Sequence, residues 1–365
     1  MKDIKIVLGG NLGDEGKGMM VDYFSNKSNT IVACCNGGAQ RGHTVVTPDG
    51  IRHVFHHFGS GTFNGASTYL SEDFIVNPML FKQEYDELVK LKVRPKVYIN
   101  HNCKITTPWD MMANQIIEES RGKNKHGSCG LGIFETIKRY EAGCTDLDYD
   151  IREYYEDKLK INGIVLSAKW KELFYDDSIW EHWLEDWDFM NDNSEAISDE
   201  DFLNLFDNII FEMGQGLLLD QNNTKYFPHL TPSNTSIKNP KKIIESVNWI
   251  DDIHIETCYV SRTYLTRHGA GDFPTECKKS DINKYMYDKT NVPNPFQDTL
   301  RYGMLNMYEL HKRCEKDVGY FGNEKSIAIT HMNEFNIDID LLNGLFKDWN
   351  IYFSDGETRK DIERW

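Results

Sequence analysis

Several features that would identify other classes of protein are missing from this sequence of 365 residues. It has no run of about 18 apolar residues, the length that a membrane-spanning helix needs, and no signal peptide precedes the first apolar run. Basic residues are few: 41 Lys and Arg against 57 Asp and Glu give a formal net charge of −16. This charge disfavours general binding to nucleic acid or to anionic membranes. We therefore expect a cytoplasmic protein with neither partner.

Paired cysteines are also missing. The eight cysteines form no Cys-x-x-Cys pair and have no regular spacing, so they predict reduced thiols rather than a disulfide framework: Cys34, Cys35, Cys103, Cys129, Cys144, Cys258, Cys277 and Cys314. The sequence also has no internal repeat, low-complexity tract or clear linker. A single domain over residues 1–365 is the simplest interpretation.

Short apolar runs separated by helix-length segments predict an α/β fold with a large, mostly parallel central sheet and flanking helices, as in P-loop nucleoside triphosphatases. Eight strands are expected, at residues 4–8, 30–35, 74–76, 97–99, 209–211, 252–260, 326–330 and 349–353. Asn77-Pro78 and Thr107-Pro108 each place a capping side chain before a proline, which predicts helices at about 79–91 and 109–120.

Residues 144–207 differ in composition, because four tryptophans stand among many acidic residues: Trp170, Trp180, Trp183 and Trp187. We interpret this segment as a helical insertion whose tryptophans cover the sheet. Stacking of nucleic-acid bases on these rings is the alternative, but the acidic surroundings oppose it.

The strongest local signal is the glycine-rich segment 9–18, GGNLGDEGKG, between a predicted strand and a predicted helix. Its glycines allow backbone N–H groups to approach an anion, the helix start adds positive potential, and Lys17 adds a charge. It is not a Walker A loop, because Gly18 stands where that motif has Ser or Thr. The segment predicts a phosphate site that contains the carboxylate of Asp14; a glycine-rich turn without a ligand is the alternative.

A second glycine-rich loop, residues 36–44 (NGGAQRGHT), follows the second predicted strand. His43 in this loop is well placed for electrostatic or acid catalysis beside phosphates, although a surface histidine in a tight turn is the alternative.

Together the two loops resemble the signature pair of adenylosuccinate synthetases, Gly-Asp-Glu-Gly-Lys-Gly followed by Gly-His-Thr. The resemblance continues in the same order through 76–78 (VNP), 214–216 (GQG) with 219–220 (LD), 231–235 (TPSNT), and 266–271 (TRHGAG) with 273–276 (FPTE). The acidic insertion and parts of the C-terminal third have no counterpart in it.

The resemblance implies a ligase. In this family a nucleoside triphosphate, normally GTP with Mg²⁺, phosphorylates the 6-oxygen of IMP, and the amino group of L-aspartate then displaces phosphate to give adenylosuccinate. It also implies that Asp14 is the base and a magnesium ligand, that His43 is the acid beside the phosphates, and that Lys17 binds phosphate. The backbone of Gly42 would be the second magnesium contact.

The same resemblance implies that Gln215 contacts the purine and that Thr231 contacts the 5′-phosphate. Further nucleotide contacts are implied at Gly13, Glu15, Gly16, Gly18, Gln40, Gly42, Thr44, Ser128, Cys129, Arg301, Thr330, His331, Asn333, Ser354 and Gly356. Family members are dimers in which an arginine crosses to the partner's nucleotide site. Arg139 is the candidate for that role in a homodimer, and a surface arginine is the alternative.

Several motifs depart from the family. Residues 127–133 (GSCGLGI) keep a hydroxyl at Ser128 but have Leu131 where the family has arginine. The arginine-rich aspartate loop reads NVPNPFQDTLR at 291–301, so that Arg301 alone is left to bind a dicarboxylate. Either another arginine substitutes for the missing ones, or the amine differs from aspartate.

The guanine-reading Thr-Lys-x-Asp motif is here Thr330-His331-Met332-Asn333. An asparagine offers one acceptor and adds a donor, so ATP or a deoxynucleoside triphosphate becomes a candidate donor beside GTP. The segments 40–43 (QRGH) and 57–61 (HFGSG) also depart from the family pattern beside the purine. One family branch uses dGMP and replaces the catalytic aspartate by a smaller residue; Asp14 is kept here, which favours an IMP-like substrate.

Three hypotheses follow: a ligase for IMP and aspartate, the same chemistry with dGMP, ATP or another amine, and a nucleotide-binding protein without turnover. The combination of Asp14, Lys17 and His43 favours the first two, because a binding protein has no need of a carboxylate at a phosphate site.

Overall fold

A computed structural model describes residues 1–124, 126–148, 150–249, 252–286 and 300–365 of the chain. Its centre is a ten-stranded sheet in the order β17-β16-β15-β11-β1-β10-β2-β5-β7-β9. The strands of the described residues are β1 Lys2–Gly9, β2 Thr30–Cys34, β3 His43–Val46, β4 Arg52–Phe55, β5 Ser67–Leu70, β6 Ile75–Val76, β7 Val97–Asn100, β8 Lys104–Ile105, β9 Glu195–Ile197, β10 Asn208–Glu212, β11 Ile253–Arg262, β12 Tyr264–Arg267, β13 Glu276–Cys277, β14 Arg301–Met304, β15 Glu324–Thr330, β16 Asn350–Ser354 and β17 Ile362–Arg364.

All neighbouring strands of this sheet run parallel except the edge pair β16 and β17. The central strand β1 pairs with β10 on one side and with β11 on the other. Its residues Ile4, Ile6 and Leu8 enter one buried cluster, and Val7 enters another, because successive side chains point to opposite faces. Apolar layers on both faces explain why the strands read as continuous apolar runs.

Helices cover the sheet and its loops. They are α1 Lys17–Phe24, α2 Pro78–Lys90, α3 Pro108–Ser120, α4 Ile133–Glu141, α5 Asp150–Ile161, α6 Ala168–Phe174, α7 Asp177–Asp192, α8 Asp199–Leu205, α9 Lys238–Glu245, α10 Lys279–Asn283, α11 Met307–Val318 and α12 Ile339–Leu345. None of these helices is both long enough and apolar enough to cross a bilayer.

Both predicted helix caps are present. The Asn77 side chain accepts a hydrogen bond from the backbone N–H of Leu80 at 3.3 Å. Thr107 and Asp110 form a reciprocal capping box at the start of α3. The sequence therefore fixes the starts of α2 and α3 through local side chains.

Seven of the eight predicted strands lie in the central sheet, and the eighth does not. Ile75–Val76 pairs with Lys104–Ile105 in a separate two-stranded sheet. The place next to β2 is taken by Ser67–Leu70, which the sequence pattern missed. That strand is fully buried although it begins with two hydroxyl residues, and Thr68 uses its hydroxyl to accept from the N–H of Gly59 at 2.9 Å.

The acidic segment is mainly helical, as predicted, but it also supplies the edge strand β9. Three of its tryptophans, Trp170, Trp180 and Trp183, share a buried cluster with residues of α2 and α3 and with the sheet residues Leu70, Val97 and Ile99. Trp180 stacks on Trp109 at 4.7 Å and on Trp183 at 4.6 Å between ring centroids. Trp180 and Trp183 are buried, so base stacking on them has no support.

Candidate active site

A cavity of about 980 Å³ lies at the carboxyl ends of the parallel strands. Loops that follow β1, β10, β11, β15 and β16 all contribute to its wall, as expected for a ligand site in an open α/β sheet. The wall includes most of the residues that the sequence predicted for the site: Gly13, Asp14, Glu15, Gly16, Lys17, Gly18, Gln40, Gly42, His43, Thr44, Ser128, Cys129, Gln215, Thr231, His331, Asn333 and Gly356.

The glycine-rich segment after β1 forms a tight loop that ends where α1 begins at Lys17. Gly13 and Gly16 have φ values of +97° and +88°, which glycine adopts at little cost. Asp14 has φ +57°, an uncommon value for a residue with a side chain. Surrounding contacts must therefore hold Asp14 in this conformation. We call residues 10–16 the phosphate loop.

The carbonyl groups of the phosphate loop are engaged by residues far away in the sequence. Their donors are Arg313 to Gly10 at 3.0 Å, the N–H of Leu218 to Asn11 at 2.8 Å, Thr266 to Gly13 at 3.4 Å, Arg262 to Asp14, and Thr330 to Glu15 at 2.9 Å. Because these carbonyls are already bonded to donors of the protein, their negative ends would not repel an anion that bound at the loop.

Glu15 belongs to the phosphate loop, and it is buried, with 3% exposed. Its Oε1 accepts from the N–H of Asn11 at 2.5 Å, and its Oε2 lies 3.5 Å from Nζ of Lys17. A β-carbon at Gly9 would stand 2.0 Å from Oε2 and 2.6 Å from the backbone carbonyl oxygen of Gln215, so glycine is required there. Burial raises the pKa of Glu15 despite the charge of Lys17. Glu15 thus holds the loop and the Lys17 ammonium in place.

The carboxylate of Asp14 contacts a histidine from another loop. Its Oδ2 lies 2.7 Å from Nε2 of His268, which follows β12. Burial alone would raise the pKa of Asp14, but the hydrogen bond to His268 and the charges of Arg262 and Lys17 outweigh it and lower the pKa to about 2. Asp14 is therefore ionised at neutral pH.

His43 faces the cavity from the first residue of β3, and its Nδ1 lies 2.7 Å from Oε1 of Glu212. Glu212 also accepts from Ser60 and lies 3.5 Å from Nη2 of Arg41. Burial raises the pKa of Glu212, but the charges of His43 and Arg41 outweigh it and bring it to about 2. Because an ionised carboxylate only accepts, Nδ1 of His43 carries the proton.

Arg41 stands behind His43 and is 2% exposed. Its Nε donates to the carbonyl of His56 at 2.6 Å, and its Nη2 donates to the carbonyl of Phe58 at 3.1 Å. Arg41 therefore fixes the segment 56–58 against the loop that carries Gln40 and His43.

Two glutamine side chains meet near Gly37. A β-carbon at Gly37 would stand 3.1 Å from Nε2 of Gln40 and 3.4 Å from Oε1 of Gln215. Among the described residues, the buried Oε1 atoms of Gln40 and Gln215 have no hydrogen-bond partner. Unpaired buried acceptors are costly, so both atoms are suited to a ligand that brings N–H donors.

The segment 126–132 is anchored to α3. Asn114 accepts from the hydroxyl of Ser128 at 2.8 Å, and Glu118 accepts from the N–H groups of His126 and Gly127 at 3.0 and 3.2 Å. Burial raises the pKa of the Cys129 thiol, which stays protonated. Thr231 lines the same cavity as Ser128.

Three predicted nucleotide contacts lie outside the cavity wall. The hydroxyl of Thr330 donates a hydrogen bond to the carbonyl of Glu15, and the hydroxyl of Ser354 donates to the carbonyl of Gly356 at 3.0 Å. Arg301 pairs with Glu276 at 2.5 Å and donates to the carbonyl groups of Gly269 and Gly271. Each of these polar groups already has a partner in the protein. Direct contact of these three residues with a nucleotide stays a prediction. Residues 291–299 of the altered loop lie outside the described part of the chain.

Arg139 is fully buried and contacts Asp110 at 2.9 Å, which also accepts from the hydroxyl of Tyr155 at 2.5 Å. It therefore cannot reach a partner subunit, and it is not a surface residue. Both interpretations of Arg139 were wrong, because the sequence does not show that α4 packs its arginine against α3.

Sequence reasoning missed several residues of the site, namely Arg262, Tyr264, His268, Glu212, Asn114 and Glu334. Three of these residues could have been identified from their positions at the ends of strands. Glu212 and Arg262 end β10 and β11, and Tyr264 begins β12, at the edge where the two glycine-rich loops lie.

Comparisons with known proteins agree with this geometry. A family model described as adenylosuccinate synthetase matches residues 6–315. The adenylosuccinate synthetase of Borrelia duttonii (strain Ly) is 28% identical over 354 residues, which cover 94% of this chain and 78% of that protein.

Two solved structures share the fold. The fully ligated adenylosuccinate synthetase from Plasmodium falciparum has a TM-score of 0.73 at 17% identity, with 98% of each chain covered. The succinoaminodeoxyadenylate synthetase of cyanophage S-2L, bound to dGMP and to dATP as an energy donor, has a TM-score of 0.67 at 15% identity, with 100% of this chain and 95% of that chain covered. The resemblance inferred from the motifs is confirmed, and the chain belongs to the adenylosuccinate synthetase family of ligases, which form a carbon–nitrogen bond.

Proposed function

We propose that this ligase phosphorylates the 6-oxygen of a purine nucleoside monophosphate, with IMP as the first candidate, and then joins the purine to L-aspartate. The products are adenylosuccinate, a nucleoside diphosphate and phosphate. The observation that carries the proposal is the presence of Asp14, Lys17 and His43 around one cavity at the phosphate loop.

The proposed reaction has two steps. Asp14 accepts the N1 proton of the purine, the 6-oxygen attacks the γ-phosphorus, and the nucleoside diphosphate leaves. The amino nitrogen of aspartate then attacks C6, loses a proton, and phosphate departs with the electron pair of the C6–O bond. With a pKa of about 2, the Asp14 carboxylate is ionised and can accept the N1–H hydrogen bond.

His43 stabilises the phosphoryl group in this proposal. Burial lowers the pKa of His43 although Glu212 opposes this effect, so the imidazole by itself is neutral at neutral pH. Anionic phosphates entering the cavity favour protonation, and Glu212 holds the Nδ1–H so that the added proton goes to Nε2. The Nε2–H group then donates to the transferring phosphoryl oxygen.

The residues present fit one magnesium ion. The carboxylate of Asp14 and the backbone of Gly42 line the same cavity, and Mg²⁺ bound with nucleotides takes one or two protein oxygens and several from phosphates and water. In the described ranges, no group of three or more His, Cys, Asp or Glu is arranged to hold a metal by itself. When bound, Mg²⁺ would neutralise charge on the phosphates.

A second candidate substrate is dGMP, and the two glutamine amides favour it. Hypoxanthine offers one N–H on its pairing edge, whereas guanine offers N1–H and a 2-amino group. The cavity provides three acceptors, namely Asp14 and the unpaired Oε1 atoms of Gln40 and Gln215. The N–H donors of guanine match these acceptors in number better than the single N–H donor of hypoxanthine does. Similarity to the cyanophage enzyme bound to dGMP supports the same candidate, and retention of Asp14 supports IMP.

We propose ATP and dATP as candidates for the triphosphate donor beside GTP. Asn333 lines the cavity and can both donate and accept, as the edge of adenine requires. Desolvation lowers the pKa of the half-buried His331 well below the usual value, so it brings no charge to the base. The cyanophage relative bound to dATP supports this choice.

L-aspartate is proposed as the amine because His268, which contacts Asp14, and Arg267 both line the cavity. We further propose that residues 1–365 act as one unit in the cytoplasm, as a homodimer and without nucleic acid. The cavity wall runs from Leu12 to Glu357, which supports a single functional unit.

The proposal is tested by phosphate release from the purified protein with Mg²⁺ across all combinations of IMP or dGMP, GTP or ATP, and aspartate or no amine. Release that needs both a monophosphate and aspartate supports the ligase. Release without a monophosphate would indicate a simple triphosphatase, and no release in any combination would contradict the proposed reaction. Omission of Mg²⁺ is the control for the metal.

A further inference from the structure

Arg262 connects the end of β11 to the phosphate loop. It is 8% exposed, and its Nε donates to the backbone carbonyl of Asp14. Its Nη1 donates to the hydroxyl of Tyr264 at 2.8 Å. One guanidinium therefore holds the peptide group of Asp14 and is itself held by a second residue.

Tyr264 in turn connects Arg262 to the loop that follows β15. It is 1% exposed, and its hydroxyl donates to Oε2 of Glu334 at 2.5 Å while it accepts from Arg262. Glu334 follows Asn333, and its backbone carbonyl accepts from Asn283 at 3.1 Å. Every bond in this series has a defined donor and acceptor, so the three side chains have one mutually consistent arrangement.

Asp14 needs such a support. Its φ of +57° lies in the left-handed region, where a residue with a β-carbon is disfavoured. Loss of the contact to its carbonyl would let the peptide turn toward an ordinary conformation and move the carboxylate away from His268, which it contacts at 2.7 Å. A small displacement of a proton acceptor is enough to lower the rate of proton removal.

We propose that Arg262, Tyr264 and Glu334 are positioning residues that hold the Asp14 carboxylate in its reactive place. This inference rests on the role proposed above for Asp14 as the base. None of the three needs to touch the substrate for this effect, since they act through the backbone of Asp14.

The test is the conservative substitution Tyr264→Phe, which removes the hydroxyl between Arg262 and Glu334. We expect kcat to fall about ten-fold or more, with the KM for the monophosphate changed less than about two-fold, because binding groups stay in place. Glu334→Ala should give a similar fall, and Glu334→Gln, whose amide oxygen still accepts from Tyr264, should restore most of kcat.

Tyr259→Phe is the matched control. Tyr259 lies on the same strand as Arg262, is buried, and donates to Asp317 at 2.7 Å. This variant loses an equivalent tyrosine–carboxylate bond but no contact in the series that leads to Asp14, so kcat should stay within about two-fold of the wild type at a similar loss of thermal stability. Equal kcat values for Tyr264→Phe and Tyr259→Phe would overturn the proposal.

Crystal structures of the unliganded wild type and Tyr264→Phe give a readout that needs no turnover. We expect the Asp14–His268 contact to lengthen and the φ of Asp14 to change in the variant. An unchanged Asp14 would overturn the positioning role even if activity falls. Absence of turnover in the wild type would instead contradict the proposed function, so the two failures are distinguishable.

Discussion

Nδ1 of His43 lies 2.7 Å from Oε1 of Glu212, and both side chains are buried. The carboxylate has a pKa of about 2 because the charges of His43 and Arg41 outweigh its burial. The Glu212 carboxylate therefore determines that Nδ1 of the imidazole carries the proton and that Nε2 is available to a ligand in the cavity.

Glu212→Gln tests this relationship. The amide can donate to Nδ1 and thereby place the proton on the wrong nitrogen, so we expect kcat to fall about 100-fold or more while the KM for the monophosphate changes little. Steady-state kinetics of phosphate release measure both values. Glu256→Gln, which alters a buried carboxylate bonded to Lys5 and Ser326, is the control and should keep kcat. An unaffected kcat in Glu212→Gln would show that Glu212 has no part in orienting His43.

Asp14→Ala should abolish phosphoryl transfer, with a loss of about 10²-fold or more, because no other group replaces the base. Binding of the monophosphate should stay measurable by calorimetry, since the amides of Gln40 and Gln215 and the hydroxyl of Ser128 are untouched. Asp49→Ala is the control, because that carboxylate bonds only to Thr47 among the described partners. Full turnover by Asp14→Ala would rule Asp14 out as the base.

Asn333→Asp should shift the donor preference toward GTP. A carboxylate accepts both guanine N–H donors, so we expect the ratio of kcat/KM for GTP to that for ATP to rise about ten-fold or more. The comparison uses the same monophosphate and amine for both donors. Asn336→Asp, outside the main cavity, adds the same charge nearby and should leave the ratio unchanged. An unchanged ratio in Asn333→Asp would show that the loop after β15 does not contact the base of the triphosphate.

Arg139→Ala should lower stability rather than substrate affinity. The change leaves Asp110 buried without its cation, at a cost of about 3–5 kcal/mol in the free energy of unfolding. Denaturant titration measures the loss. Asp110→Asn in the same chain should recover part of it by removing the uncompensated charge. A raised KM at unchanged stability would mean that Arg139 reaches a nucleotide after all.

Stability should fall in acid, and Glu84 should contribute to the fall. Burial raises the pKa of Glu84, but the rings of His53 and His57, whose nitrogens lie 3.6 and 3.7 Å from the carboxylate, outweigh it and give a value of about 2, below the ordinary 4.5. Since the folded pKa is depressed, this stability is present above pH 4.5 and is lost as the pH falls toward 2. We expect Glu84→Gln to be less stable at pH 7 and to lose less on acidification, as shown by melting temperatures from pH 7 to pH 3. Equal slopes would contradict this assignment.

Much of the fold was predictable because its strands are apolar on both faces and its helix starts carry capping side chains. The runs at 4–8 and 30–35 and the caps at Asn77 and Thr107 are local signals, and the structure places each as expected. Ser67–Leu70 was missed because its burial depends on hydrogen bonds of hydroxyl groups, which a hydrophobic pattern does not report.

The two glycine-rich loops of the candidate site were predictable for the same local reason. Their partners were not: Glu212 reaches His43 across 169 residues of sequence, and His268 reaches Asp14 across 254. Such contacts depend on the order of strands in the sheet, which no local pattern contains. Arg139 shows the reverse case, since a basic residue expected at a subunit boundary pairs with Asp110 inside the chain.

The anchoring of the phosphate loop also has a consequence for biosynthesis. Arg262, Arg313 and Thr330 are separated from the loop carbonyls that they hold by 248, 303 and 315 residues. The glycine-rich segment leaves the ribosome early, yet it lacks these supports until most of the chain has been made, and contacts so distant in sequence form slowly. A nascent chain that ends before residue 262 should therefore gain no protection from proteolysis by added nucleotide, whereas the finished chain should gain it as its C-terminal strands join the sheet.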